Sequence, residues 1–132
     1  MRLITKQTDY AIRILLTMFK KEDDLFTTSD LAKKLKISKP FVRAILQKLN
    51  KEKVVVSSKG KGGGFKMTQP PDKISIISLI EIFQGPVKLD RCLIRSDICP
   101  DIKTCILKKK LKEIGNHINE EFKILTLYSL LK

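Results

Sequence analysis

The chain has 132 residues, is 42% hydrophobic, and sets 27 Lys and Arg against 14 Asp and Glu for a formal net charge of +13. That length suits one domain, and the apolar share excludes a wholly disordered basic tail. No apolar run reaches the roughly 18 residues that span a bilayer, so no membrane partner is expected.

The opening, Met1-Arg2-Leu3-Ile4-Thr5-Lys6, lacks the apolar stretch of a secretory signal, which leads to an expectation of a reducing, cytoplasmic setting. Tyr10, Ala11, Ile14, Leu15 and Met18 recur at helical spacing and predict an amphipathic helix over about 7–21. Glu22-Asp23-Asp24 makes a polar loop. Thr28, Ser29 and Asp30 are N-cap candidates for a short helix carrying Leu31, Ala32 and Leu35. Lys36-Ile37-Ser38 makes a turn. Ser38 is the expected cap of the next helix, with Pro40 in its first turn, where a missing N–H costs little. That helix buries Phe41, Val42, Ile45, Leu46 and Leu49 and turns Lys39, Arg43, Gln47 and Lys48 outward. Two short helices joined by a tight turn, the second one basic, describe a helix-turn-helix.

Val54-Val55-Val56 reads as a strand and Phe65-Lys66-Met67 as its return, with Lys59-Gly60-Lys61-Gly62-Gly63-Gly64 between them. The glycines permit the positive φ of a hairpin tip and a close approach to phosphate. A P-loop needs Lys-Ser/Thr after its last glycine, and a dinucleotide fold needs a helix there. Phe65 and a strand follow instead, which leaves a basic β-hairpin wing. From Lys33 to Lys66, eleven basic residues face only Glu52. A surplus so local attracts polyanions. Ser38, Lys39, Pro40 and Arg43 would enter a major groove. Lys59 and Lys61, with the amides of Gly60, Gly62 and Gly63, would follow the adjacent backbone or minor groove.

Pro70-Pro71 marks a boundary. Ser75 to Gln84 is predicted helical and ends at Gly85-Pro86. Residues 87–101 form a loop holding Cys92 and Cys99, and a long helix begins near Thr104. Leu107, Leu111, Ile114, Ile118, Phe122 and Leu125 form a narrow apolar seam, which suits pairing with a second copy, although a monomer could bury it against its own first helix. Thr126 to Leu131 looks like one last helical turn.

Cys92, Cys99 and Cys105 are the chain's only cysteines, and an odd number cannot all pair internally. Three thiolates with an outside fourth ligand would suit tetrahedral zinc or an iron–sulfur cluster, and three small buried residues without a ligand remain a third option. Enzyme readings fare poorly. His117 is the single imidazole, and neither H-E-x-x-H nor G-x-S-x-G is present.

These motifs together resemble the Rrf2 family of bacterial winged-helix transcription regulators, including its iron–sulfur IscR and NsrR types. Met1-Arg2-Leu3 with Thr8-Asp9-Tyr10-Ala11-Ile12-Arg13 resembles the family's first helix. Ile37 to Val42 with Leu46-Gln47-Lys48-Leu49 is similar to its recognition helix, and Ser58 to Phe65 to its wing. The three cysteines and Thr126-Leu127 also match. The resemblance implies a homodimer on double-stranded operator DNA, with an iron–sulfur cluster (2Fe-2S or 4Fe-4S) held by Cys92, Cys99 and Cys105. In the IscR type a His follows the third cysteine by three residues, where this chain has Lys108. In the NsrR type an Asp of the other protomer serves, and Asp9 stands at the matching position.

The expected fold is therefore mostly α with a small β-hairpin. Residues 1–70 would form a winged helix-turn-helix, and residues 71–132 would supply the cysteine loop and a dimerisation helix. The expected function is a non-enzymatic regulator, a repressor, responding to redox state, nitric oxide or iron. The alternatives are a structural zinc protein that binds RNA and a cluster-free regulator of the same fold acting through thiol chemistry, with an oxidant as effector.

Overall fold

The structure, a computed structural model, describes residues 3–21, 25–86 and 105–131. Helix α1 (Lys6–Phe19) starts where Thr5 accepts the Thr8 N–H, and it buries Ala11, Ile14, Leu15 and Met18 on one face. That stripe follows from the i, i+3, i+4 spacing. The helix is two residues shorter at its C-terminal end than the periodicity predicts.

Helix α2 (Thr28–Leu35) is capped by Thr27, whose hydroxyl accepts the Asp30 N–H at 3.0 Å. The three candidates Thr28, Ser29 and Asp30 thus lie one or more positions too late. Helix α3 (Lys39–Lys51) has Ser38 at its cap position as expected, with extended backbone, yet the Ser38 side chain makes no capping bond. Instead its carbonyl takes the Val42 N–H at 3.1 Å. Val42, Ile45, Leu46 and Leu49 are buried and Phe41 is half-buried. The Phe41 ring meets Tyr10 of α1 edge-on, with centroids 5.3 Å apart.

Strands β1 (Val55–Ser58) and β2 (Gly64–Met67) pair antiparallel, with Val55 opposite Met67 and Ser58 opposite Gly64. The hairpin therefore runs further toward its tip than the valine run suggests, and Val54 stays outside it. A third segment joins the sheet at Phe26, whose N–H and C=O exchange hydrogen bonds with Phe65 at 2.9 and 2.8 Å.

After a single 3₁₀ turn at Pro71–Lys73, α4 (Ile76–Gln84) begins at Ser75, which caps it through the Ser78 N–H. Helices α5 (Ile106–Ile124) and α6 (Leu127–Leu130) follow, with a reciprocal capping box between Thr126 and Ser129. Ile76 donates to the Leu125 carbonyl at 2.8 Å and Leu127 to that of Ile74 at 2.9 Å, which ties the C-terminal segment beside α4. One core cluster joins α1, α3 and α4 with Leu127.

The apolar seam of α5 is divided. Ile118, Phe122 and Leu125 pack against the core. Leu107 and Ile114 are 66% and 50% exposed, as are the neighbouring Ile106 and Ile124 at 75%. Leu125 has already left the helix and stands at its C-cap. The pattern read as one continuous pairing surface is in fact half internal.

Candidate nucleic-acid interface and cysteine segment

The outward side of α3 presents Lys39, Pro40, Arg43 and Gln47, all exposed, while its inner side is locked into the core. This separation follows from the helical period: four buried aliphatics at Val42, Ile45, Leu46 and Leu49 leave one free face. Lys48 is exposed too, but its Nζ lies 5.5 Å from the centroid of the Phe83 ring. That contact lies at the end of α3 away from Ser38 and leaves Lys48 exposed.

At the wing tip Lys59, Gly60, Lys61 and Gly62 are exposed and Gly63 is half-buried. Gly60 and Gly62 take φ of 97° and 81°, which L side chains rarely adopt. Gly63 donates its N–H to the Gly60 carbonyl at 3.0 Å and closes the tip. The exposed lysines 33, 34, 36, 39, 59 and 61 with Arg43 carry positive charge across α2, α3 and the wing. Such charge attracts phosphate, and Lys and Arg side chains are donors of the kind that contact nucleic acid.

Sequence reasoning missed the strand segment at Phe26. A single bridging residue makes no alternating run, and its partner lies far along the chain. It also missed Gln84, a polar residue at the end of an apolar helix, which the structure joins to Leu3, Thr5 and Thr8 of the N-terminal turn.

Of the four metal-ligand candidates, Cys92 and Cys99 lie outside the described residues. Cys105 is a free, half-buried thiol at the N-cap of α5, where it makes no capping hydrogen bond. Asp9 is half-buried in the first turn of α1, and its Oδ2 accepts from Arg13 Nε at 3.1 Å. Among the described residues no three His, Cys, Asp or Glu side chains come together as a metal site. His117 is exposed on α5. No helix among the described residues is long and apolar enough to cross a membrane.

Comparison with known proteins extends this picture over the whole chain. The profile of the Rrf2 family, described as an iron-dependent transcriptional regulator, matches residues 4–132. An HTH-type transcriptional regulator of Aquifex aeolicus (strain VF5) is 34% identical over 124 residues, covering 92% of this chain and 86% of the relative. The HTH-type transcriptional regulator NsrR of Oceanobacillus iheyensis is 30% identical over 129 residues, covering 96% and 86%. Among solved structures, CymR (YrzC), the global cysteine regulator of B. subtilis, superposes with a TM-score of 0.78 at 21% identity over 98% of this chain and 96% of that one. The T. potens IscR structure gives 0.75 at 17% identity, covering 98% and 85%. These two share the fold, a winged helix-turn-helix followed by a long helix. With the family profile spanning nearly every residue, the chain belongs to the Rrf2 family of DNA-binding transcription regulators, which are not enzymes.

Proposed function

We propose that this chain is a repressor that binds double-stranded operator DNA as a homodimer and senses its effector through an iron–sulfur cluster on Cys92, Cys99 and Cys105. The observation that carries the DNA part is the free face of α3, where Lys39, Arg43 and Gln47 stand exposed beside a lysine-tipped wing. Arg and Gln can each reach base edges bidentately, and lysines on the wing suit phosphate. Ile106, Leu107 and Ile114, exposed near the start of α5, support pairing with a second copy, because such a cluster is costly to leave in water. The seven positions 33, 34, 36, 39, 43, 59 and 61 would then be duplicated about a two-fold axis, matching two half-sites.

A cluster supplies iron that reacts with oxidants and with nitric oxide. Cys105 suits the ligand role, since its thiol is half-buried and not used to cap α5. The name NsrR borne by one relative and the iron-dependent description of the family support the same reading. Asp9 of the partner subunit is the proposed fourth ligand. Its bond to Arg13 does not oppose this, because an exposed i,i+4 pair contributes only about 0.3–0.5 kcal/mol and exchanges easily. A second reading is favoured by the free Cys105 thiol and by the likeness to CymR, a cysteine regulator: the three cysteines would act by direct thiol chemistry and need no iron.

Anaerobic isolation of the full chain with iron, sulfide and zinc analysis tests these readings, followed by selection of bound duplexes from a random-sequence pool. Brown protein with iron and sulfide, and a selected two-fold site whose affinity changes when the cluster is removed, is the expected result. Colourless zinc protein that prefers RNA would overturn it. Iron-free protein whose duplex affinity responds to an oxidant would leave the thiol reading in its place.

A further inference from the structure

The two helices of the helix-turn-helix close in the same way. At the end of α2 the Ile37 N–H reaches back to the Ala32 carbonyl at 3.1 Å, and Lys36 takes φ 57°, ψ 43°. At the end of α3 the Val54 N–H reaches the Leu49 carbonyl at 2.9 Å, and Lys53 takes φ 62°. Both are Schellman-type closures, whose left-handed residue is ordinarily glycine because a Cβ crowds the next carbonyl. Among the described residues these two lysines are the only non-glycine residues with positive φ. Both are exposed. Both also stand just beyond a helix C-terminus, where a cation complements the free carbonyls, so that benefit is common to them.

Their positions differ. Lys36 lies in the turn, two residues before Ser38, whose hydroxyl is not used in capping, and three before Lys39. Lys53 lies past the far end of the 13-residue α3, about 20 Å away at 1.5 Å per residue. Glycine would serve the backbone at either place without strain, so what lysine adds at each is its charge. In a helix-turn-helix the N-terminal residues of the second helix meet the bases while the first helix crosses the backbone, so the turn that joins them stands between bases and phosphates. Lys33 and Lys34, exposed in the last turn of α2, bring further charge to the same edge.

We propose that Lys36 is a DNA-phosphate contact, held in a left-handed conformation at the turn, and that Lys53 is not. This rests on the duplex-DNA reading above and adds a named contact to it.

The test compares Lys36→Gly, Lys53→Gly and Lys36→Arg in the full chain, by thermal unfolding and by binding to a mixed-sequence duplex across a potassium chloride series. Both glycine variants should unfold at or above the parent temperature, which shows that neither loses affinity by unfolding. Lys36→Gly should weaken duplex binding several-fold at low salt and make the log–log salt slope shallower by about 0.9, the value for one neutralised phosphate. Lys53→Gly and Lys36→Arg should keep the parent slope. A parent slope in Lys36→Gly would overturn the proposal, as would an equal loss in Lys53→Gly, which would mean that only total charge matters. A parent protein with no salt-dependent duplex binding would overturn the DNA reading itself, so the two failures are distinguishable.

Discussion

Gln84, the last residue of α4, accepts the Thr8 hydroxyl at 2.8 Å across 76 positions of sequence. The same Oε1 takes the Thr5 N–H at 2.9 Å, and Nε2 donates to the Leu3 carbonyl at 2.8 Å. Thr8 is fully buried. The chain leaves Gln84 through Gly85-Pro86 toward the cysteines, while α1 carries Asp9 one residue beyond Thr8. Replacing Gln84 by Leu would leave the Thr5 N–H without its acceptor and the buried Thr8 hydroxyl with only Thr5 Oγ1, 3.1 Å away, at a cost of about 1–3 kcal/mol. Urea unfolding should show a lower midpoint with an unchanged slope. Gln84→Glu keeps the acceptor but loses the donor to Leu3, so it should fall between the two. A Gln84→Leu midpoint equal to the parent's would mean that the clamp contributes nothing.

Gly64 sits where any Cβ would stand 2.8 Å from the Phe26 carbonyl oxygen. Gly64→Ala must therefore push apart the exchange between Phe26 and Phe65, at roughly 1–3 kcal/mol. Hydrogen exchange at the Phe26 and Phe65 amides should speed up. Gly60→Ala meets nothing within 4 Å, though its φ of 97° strains it. That variant should lose stability while those two amides stay protected.

Arg43 and Lys59 should fail in different ways. Arg43→Ala removes a planar fork of donors from α3 and should relax base preference at particular operator positions. Lys59→Ala at the wing should weaken all duplexes alike and flatten the salt slope by about one unit. Binding to a set of single-base operator variants over a salt series separates the two effects. Loss of base preference in Lys59→Ala would place the wing on the bases instead.

Ile114 and Ile118 are neighbours on α5 with opposite surroundings: Ile114 is half exposed and Ile118 packs on the core. Ile114→Asp should leave the helical content intact and give a monomer by sedimentation, because a carboxylate is costly to bury unpaired in a dimer contact. Ile118→Asp should lower the unfolding temperature itself. An intact dimer in Ile114→Asp would move the pairing surface off this part of α5.

Cysteine and aspartate variants separate the ligand sets. Cys92→Ala, Cys99→Ala and Cys105→Ala should each yield protein that does not retain iron. Asp9→Ala should retain iron but with altered absorption and faster reaction with nitric oxide. Arg13→Ala, which frees Asp9 from its 3.1 Å partner, should leave the absorption unchanged. Spectra of parent and Asp9→Ala that coincide would remove Asp9 from the ligands.

The helices and wing were legible because their signals are local. Ser75 with Ser78 starts α4 and Gly85 ends it within a few residues of sequence, and four glycines in five positions announce a hairpin tip. The α2 cap was off by one because Thr27, Thr28, Ser29 and Asp30 all offer a suitable oxygen and only backbone geometry chooses among them. The seam on α5 has the right spacing, but spacing does not tell what covers a face. Ile118 and Phe122 met the protein's own core, whereas Leu107 and Ile114 did not. Gln84 and Phe26 were illegible for a different reason: each acts through a partner distant in sequence. As for the candidate site, the exposure of Lys39, Arg43, Gln47 and Lys48 on α3 was legible from helical period alone, whereas the approach of Lys48 to the ring of Phe83, 35 positions away, was not.

The backbone exchange between Phe26 and Phe65 makes the wing a continuation of the connection between α1 and α2 instead of a separate arm. With Phe41 also set against Tyr10, α3 and the hairpin both pack on the same first helix. These contacts join α1, α3 and the wing through one packed core. In the proposed dimer, a signal arriving at the pair of subunits would then act on the distance and angle between the two DNA-reading heads more than on either head, and operator length, counted between half-site centres, would be the quantity through which occupancy is controlled.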